Sequence, residues 1–119
     1  AAGSVETDLD TFKGVLLNVI PKQKAGVIAA QAGLTNETGF CPIDASTMRS
    51  ENDENIFVIG DACIAGAMPK SGFSANSQAK VAAMTIRSEL TGSKAFPAKY
   101  SNTCWSLIET DDGVHRRME

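Results

Sequence analysis

Apolar and polar residues alternate over Val5 to Leu9, the period-two pattern of a strand with one buried face, and Asp10-Thr11 offers a turn into a second strand. Val15 to Ile20 is a nearly continuous apolar run that reads as a strand buried on both faces, stopped by Pro21. The period then changes. Ala25, Ile28, Ala29 and Ala32 recur at helical spacing, which predicts a helix over 22–32 with Pro21 at its first turn and Gly33 just past its end. Thr35 to Asp44, with Asn36, Gly39 and Pro42, reads as loop and turn, and Ser46 to Asn55 as a polar surface excursion. Ile56-Phe57-Val58-Ile59 is a short, bulky, buried strand ending abruptly at Gly60-Asp61. A loop follows to about Lys70, and then a helix over 73–90, with Ser71 or Ser74 able to cap its start and Gly92 able to end it. Beyond Pro97, Cys104 to Ile108 reads as a strand and Asp111-Asp112-Gly113 as a hairpin turn.

Strands and helices in this order predict a layered α/β architecture, with too few strands to complete one, so the sequence reads as cut from something larger. Composition narrows the function classes. The 119 residues suffice for one small domain, and 43% hydrophobic with 21% charged content is ordinary for a globular chain. Eleven Lys and Arg scattered among fourteen acids give a net charge of −3 and no basic footprint for nucleic acid. No apolar run reaches the roughly 20 residues a bilayer span needs. Ala1-Ala2-Gly3-Ser4 has neither the basic start nor the apolar stretch of a signal peptide. Cys41, Cys63 and Cys104 form no Cys-x-x-Cys, and His115 is the single His, which argues against a four-ligand zinc site. Cys63 and Cys104 read as small buried apolar residues, whereas Cys41 sits in a polar turn.

The chemistry-bearing segment is Glu54-Asn55-Ile56-Phe57-Val58-Ile59-Gly60-Asp61-Ala62. Its strand delivers Gly60 and Asp61 at a carboxyl end, where ligands of open α/β sheets bind. Gly60 permits close backbone approach, and Asp61 offers two acceptors to sugar-type hydroxyls. Downstream, Met68-Pro69-Lys70-Ser71-Gly72-Phe73-Ser74 opens a helix whose unpaired N–H groups and dipole favour negative charge, to which Lys70 adds a full positive charge. A reduced flavin is anionic around N1 and its C2 carbonyl, so such a helix start would stabilise it as it stabilises phosphate. A turn beginning by chance at Gly-Asp, followed by a plain capped helix with a solvated Lys, would look the same locally.

Val58-Ile59-Gly60-Asp61-Ala62-Cys63, Met68-Pro69-Lys70-Ser71 and Ser74-Ala75-Asn76-Ser77-Gln78-Ala79-Lys80-Val81-Ala82-Ala83 together resemble the flavin-binding subunit of flavocytochrome c sulfide dehydrogenase. Asn18-Val19-Ile20-Pro21, Lys24-Ala25-Gly26, Ala32-Gly33-Leu34-Thr35, Gly39-Phe40-Cys41-Pro42-Ile43-Asp44 and Asn102-Thr103-Cys104-Trp105-Ser106 extend the resemblance over about 12–108, in the family's own order. The Gly-Asp element is common to many disulfide-reductase-like flavoproteins. The Pro-Lys-Ser and Ser-Ala-Asn-Ser-Gln runs and the Cys41 turn are more specific.

The resemblance implies the C-terminal part of a two-dinucleotide-domain, disulfide-reductase-like flavoprotein. Residues 1–45 would be the end of a nucleotide-domain-like unit with the active-site cysteine turn, 46–91 the last strand and helix of the FAD-binding domain, and 92–119 the start of a small α+β C-terminal domain. It implies oxidation of sulfide at FAD and electron transfer to a haem-bearing cytochrome c subunit in the periplasm. By position Cys41 matches the second cysteine of a redox-active pair, Gly60 and Asp61 the ribityl contacts, and Lys70, Ser71 and Gly72 the flavin's pyrimidine side. The family often has Tyr where Trp105 stands, and the residues beyond Thr110 depart from its pattern. No Gly-x-Gly-x-x-Gly occurs in the 119 residues, and the cysteine partner implied for Cys41 lies in the family's N-terminal half. These residues alone are therefore expected to bind FAD weakly and to lack activity. An NADH-dependent quinone or disulfide reductase fits Gly60-Asp61 equally, and an interaction or dimerisation module exposing apolar surface is the non-enzymatic alternative.

Overall fold

The computed structural model describes residues 3–118. β1 (Gly3–Glu6) and β2 (Thr11–Gly14) form an antiparallel hairpin running from Gly3↔Gly14 to Glu6↔Thr11. Thr7 closes it: its hydroxyl donates to the Asp10 carbonyl (2.9 Å) and accepts from the Asp10 N–H (3.0 Å). The second strand therefore begins before the apolar run expected to form it. Val15 to Ile20 lies outside any strand, and Val15 is 97% exposed. The reason is pairing: β1 offers only four residues, all used by β2, and a strand with no partner gains no ladder hydrogen bonds.

α1 (Val27–Gln31) is shorter than the helix expected over 22–32. It starts after Gly26, whose backbone entropy makes it a poor interior helix residue and a tolerable cap. Gly33, at φ +69°, ends it, and the Leu34 N–H returns to the Ala29 carbonyl at 2.9 Å. Of the expected apolar face, Ala25 and Ala29 are buried while Ile28 faces solvent.

β3 (Cys41–Asp44) is a strand where turn signals predicted a loop. It is the centre of a three-stranded sheet, antiparallel to β4 (Arg49–Ser50) and parallel to β5 (Cys63–Ile64). Pro42 is tolerated because its carbonyl serves as an acceptor, for the Glu51 N–H at 3.1 Å. The β3–β4 turn is knotted by Asp44, whose carboxylate accepts from the N–H and hydroxyl of Ser46 and the hydroxyl of Thr47; those bonds hold its pKa below the usual carboxylate range. The expected strand at 56–59 survives as an extended segment beside β4: Ser50 N–H to Ile56 O (2.8 Å), Val58 N–H to Met48 O (3.0 Å) and a bridge between Arg49 and Phe57.

α2 (Gly72–Thr91) matches its expected helix closely. Of the two candidate caps, Ser71 is the one used, its hydroxyl oxygen accepting from the Ser74 N–H at 3.1 Å, and Gly92 ends the helix at φ +64°. The helix lays Val81 and Ala82 against Ile43, Met48 and Cys63, with Phe57, Val58 and Tyr100 closing the edges. A second cluster, Ala25, Ala29, Leu34 and Cys41, joins α1 to the sheet, and Val58 packs against both. β6 (Asn102–Glu109) and β7 (Asp112–Met118) form a hairpin with Trp105 stacked on His115, ring centroids 4.4 Å apart.

The radius of gyration is 18.7 Å, against about 13.5 Å for a compact domain of this length. Both hairpins and the 15–20 segment thus project from a small core, and large apolar side chains such as Leu16, Leu90 and Leu107 stand in solvent. Among the described residues no helix is long and apolar enough to cross a membrane.

Candidate functional site

The Gly60-Asp61 element sits where the extended 56–59 segment turns into a short 3-10 turn, Gly60–Ala62. Gly60 has φ +71°, a left-handed conformation that a Cβ would strain. Its N–H donates to the side-chain oxygen of Gln78 at 2.7 Å, and its carbonyl accepts from the Cys63 thiol at 3.1 Å. Gln78, only 2% exposed, thus ties the turn to the second helical turn of α2. Asp61 is exposed, and among the described residues no group donates to its carboxylate.

Lys70 is the hub. Its ammonium donates to the Asp61 carbonyl at 2.6 Å and the Cys63 carbonyl at 2.9 Å, and lies 4.2 Å from the centre of the Phe40 ring. Instead of a freely solvated side chain, the structure has a cation pinned between β5 and the residue preceding Cys41. Such a cation–aromatic contact contributes about 0.5–2 kcal/mol depending on desolvation.

Cys41 and Cys63 are register partners in the parallel pairing of β3 and β5, so both Cβ atoms leave the sheet on one face. Both are free thiols and both are buried. Burial pushes both thiols above their ordinary pKa, and the Lys70 charge pulls each back part of the way. For Cys63, the neighbouring Cys41 and Asp61 add a smaller upward push.

At the start of α2, Ser71 donates its hydroxyl to the Asn102 side-chain oxygen at 2.5 Å while capping Ser74, and Ser74 donates to the same oxygen at 3.2 Å. Asn102, 3% exposed, therefore anchors β6 to the helix start. The exposed Gly72 and Phe73 occupy the first helical positions, whose N–H groups have no intrahelical acceptor. An open groove of about 690 Å³ runs alongside, lined by Met68, Pro69, Tyr100 and Asn102 among others.

This set can accept hydrogen bonds from sugar-type hydroxyls and hold negative charge: a carboxylate at Asp61 with no donor among the described residues, a glycine at Gly60 and N–H groups with positive dipole at the helix start. Cys41, Gly60, Asp61, Lys70, Ser71 and Gly72 all fall in or beside the same β3–β5–α2 unit. Sequence reasoning missed Gln78, Asn102 and the pairing of Cys63 with Cys41. Ser74, Ser77 and Gln78 did carry a signal, a polar stripe at i, i+3 and i+4 on a helix that buries it. Among the described residues, no group of three or more His, Cys, Asp or Glu side chains is gathered as a metal site.

No protein-family model matches the chain. Among solved structures, it is similar in fold to a chain of the mitochondrial ATP synthase of Tetrahymena thermophila, in the F1Fo composite tetramer, with a TM-score of 0.65 and 22% sequence identity. The likeness covers 77% of this chain and 22% of that one, so this chain spans about a fifth of the length of the protein it matches, and what the two share is the fold of that stretch.

Proposed function

We propose that this chain is part of an FAD-dependent sulfide dehydrogenase, the C-terminal part of a flavoprotein subunit that passes electrons to a periplasmic cytochrome c subunit. The observation that carries this reading is the position of Lys70, whose ammonium links the Asp61 turn to the strand pair bearing Cys41. One cluster thereby joins a thiol, a fixed positive charge and an uncommitted carboxylate. When bound, FAD supplies a two-electron acceptor, its pyrophosphate being held by a glycine-rich turn elsewhere in the flavoprotein. Asp61 binds ribityl hydroxyls, Gly60 keeps the approach open, and the N–H groups around Gly72 hold negative charge on the pyrimidine side.

Cys41 provides one sulfur of a disulfide with a cysteine of the flavoprotein's N-terminal half. Attack by hydrosulfide breaks the S–S bond, leaving a persulfide on one cysteine and a thiolate on the other, with the hydrosulfide proton lost to solvent. Lys70 holds positive charge beside Cys41 during that step.

A second reading is favoured by a specific observation: Cys41 is 0% exposed and burial raises its pKa, which suits a structural thiol in an FAD-dependent NADH, quinone or disulfide reductase. The visible flavin spectrum of the full flavoprotein, followed anaerobically, separates the two. Bleaching by sulfide and not by NADH, abolished by Cys41→Ser, supports the sulfide dehydrogenase. Bleaching by NADH alone, unaffected by Cys41→Ser, overturns it.

A further inference from the structure

Lys70 makes three contacts within the chain, and two of them are with neighbours of Cys41. Its ammonium is held by the carbonyl of Cys63, the register partner of Cys41, and by that of Asp61. Its third contact is the face of Phe40, the residue immediately before Cys41. Two carbonyl oxygens and a ring fix the charge against the strand pair, so it acts there at little further entropic cost. We propose that Lys70 is a positioning residue for the Cys41 sulfur, a pinned cation whose field stabilises negative charge on that thiol.

The electrostatic surroundings agree with this geometry. Lys70 favours the charged form of Cys41 and of Cys63, against the larger effect of burial. Among the described residues, the other titratable groups that act on the pair are Asp61, which disfavours charge on Cys63, and Tyr100, whose own ionisation the Cys63 charge opposes. Among the described residues Lys70 is therefore the cation offsetting burial at this pair. Its use in catalysis rests on the thiol chemistry proposed above, whereas its effect on Cys41 needs no flavin and is measurable in the chain itself.

The test is a titration of the Cys41 13Cβ resonance in the reduced 119-residue chain, comparing wild type, Lys70→Gln and Lys70→Arg. Gln keeps hydrogen-bond donors for the two carbonyls without the charge, and Arg keeps the charge. Lys70→Gln is expected to move the Cys41 midpoint up by about one pH unit, and Lys70→Arg to restore most of that shift. An unchanged midpoint in a folded Lys70→Gln chain overturns the proposal, as does an equal shift in both variants, which would make the effect one of packing. Should Lys70→Gln fail to fold, the reciprocal measurement uses the native side chain. Linkage requires the Lys70 Nζ resonance to report a step at the Cys41 midpoint that disappears in Cys41→Ser, and its absence likewise overturns the proposal. Failure of sulfide to bleach the flavin would leave these results standing and remove only their catalytic use.

Discussion

Cys41 and Cys63 occupy directly paired positions on the parallel strands β3 and β5, though 22 positions separate them in sequence. The carbonyl of one of them, Cys63, holds the ammonium that sits over the residue preceding the other. This places two thiols and one cation on a single short sheet bordered by two core clusters, one with Ile43, Met48 and Val81 and one with Ala29 and Leu34. The charge on both thiols is subject to opposing effects: burial favours the neutral form, and the Lys70 ammonium favours the thiolate.

Gly60→Ala tests the turn that presents Asp61. At φ +71° an added Cβ meets only the Ala75 methyl, at 3.7 Å, which is ordinary contact. The cost is thus conformational, about 1–2 kcal/mol for a non-glycine residue held in the left-handed region. Urea unfolding of the variant should show that loss with an unchanged m-value. A neutral substitution would mean that the turn relaxes and that Gln78 does not hold it.

Asp61→Asn separates binding from stability. The carboxylate is exposed and has no donor among the described residues, so the chain's unfolding free energy from urea titration should move by no more than about 0.5 kcal/mol. In the full flavoprotein, loss of the charged acceptor for ribityl hydroxyls should weaken FAD by about tenfold or more, since a hydrogen bond to a charged group contributes about 1.5–3 kcal/mol. Flavin fluorescence titration reads this. Unchanged FAD affinity would remove Asp61 from the cofactor site.

What the sequence disclosed follows the range of the interactions. α2 was legible because its signals are local: Ser71 bonds to Ser74 three residues on, and Gly92 supplies the left-handed end. β3 was hidden because Gly39 and Pro42 are genuine turn signals, and the strand exists only through partners at 49–50 and 63–64. Val15 to Ile20 failed in the opposite direction: its composition suits a buried strand, but no described segment pairs with it. The residue types at the site, a thiol in a turn and a Gly-Asp after an apolar run, were visible locally. That Lys70 turns from the helix start toward Cys63 and Phe40 depends on tertiary contacts and was not.

Ser71→Ala should destabilise the chain by about 1–3 kcal/mol. It removes a helix cap, about 1 kcal/mol, and one of two hydroxyl donors to the buried Asn102 oxygen. Ser71→Thr preserves both functions and should recover most of the loss. Hydrogen exchange provides the spatial check: the Ser74 amide and the β6 start should lose protection together in Ser71→Ala. Loss confined to Ser74 would show that Asn102 is held well enough by Ser74 alone.

Burial raises the folded pKa of Cys41 and Cys63 above the ordinary thiol value of 9.0, the value expected once the chain unfolds. The folded state therefore holds its thiol protons more tightly than the unfolded state does. This linkage contributes stability that is fully present below pH 9.0 and is lost as pH rises through the folded pKa values. Tyr100 adds a loss of the same sign above its ordinary 10.0, because burial and the Asp44 charge raise it too. Unfolding free energies from urea titrations at pH 8 to pH 11 should fall, by about 1.4 kcal/mol for each full pH unit of thiol shift. Cys41→Ala with Cys63→Ala lowers the baseline through lost packing, yet the remaining pH slope should be visibly flatter. An equally steep slope in that double variant would assign the alkaline loss to Tyr100 and the exposed charges, and would show that the two thiols ionise alike in the folded and unfolded chain.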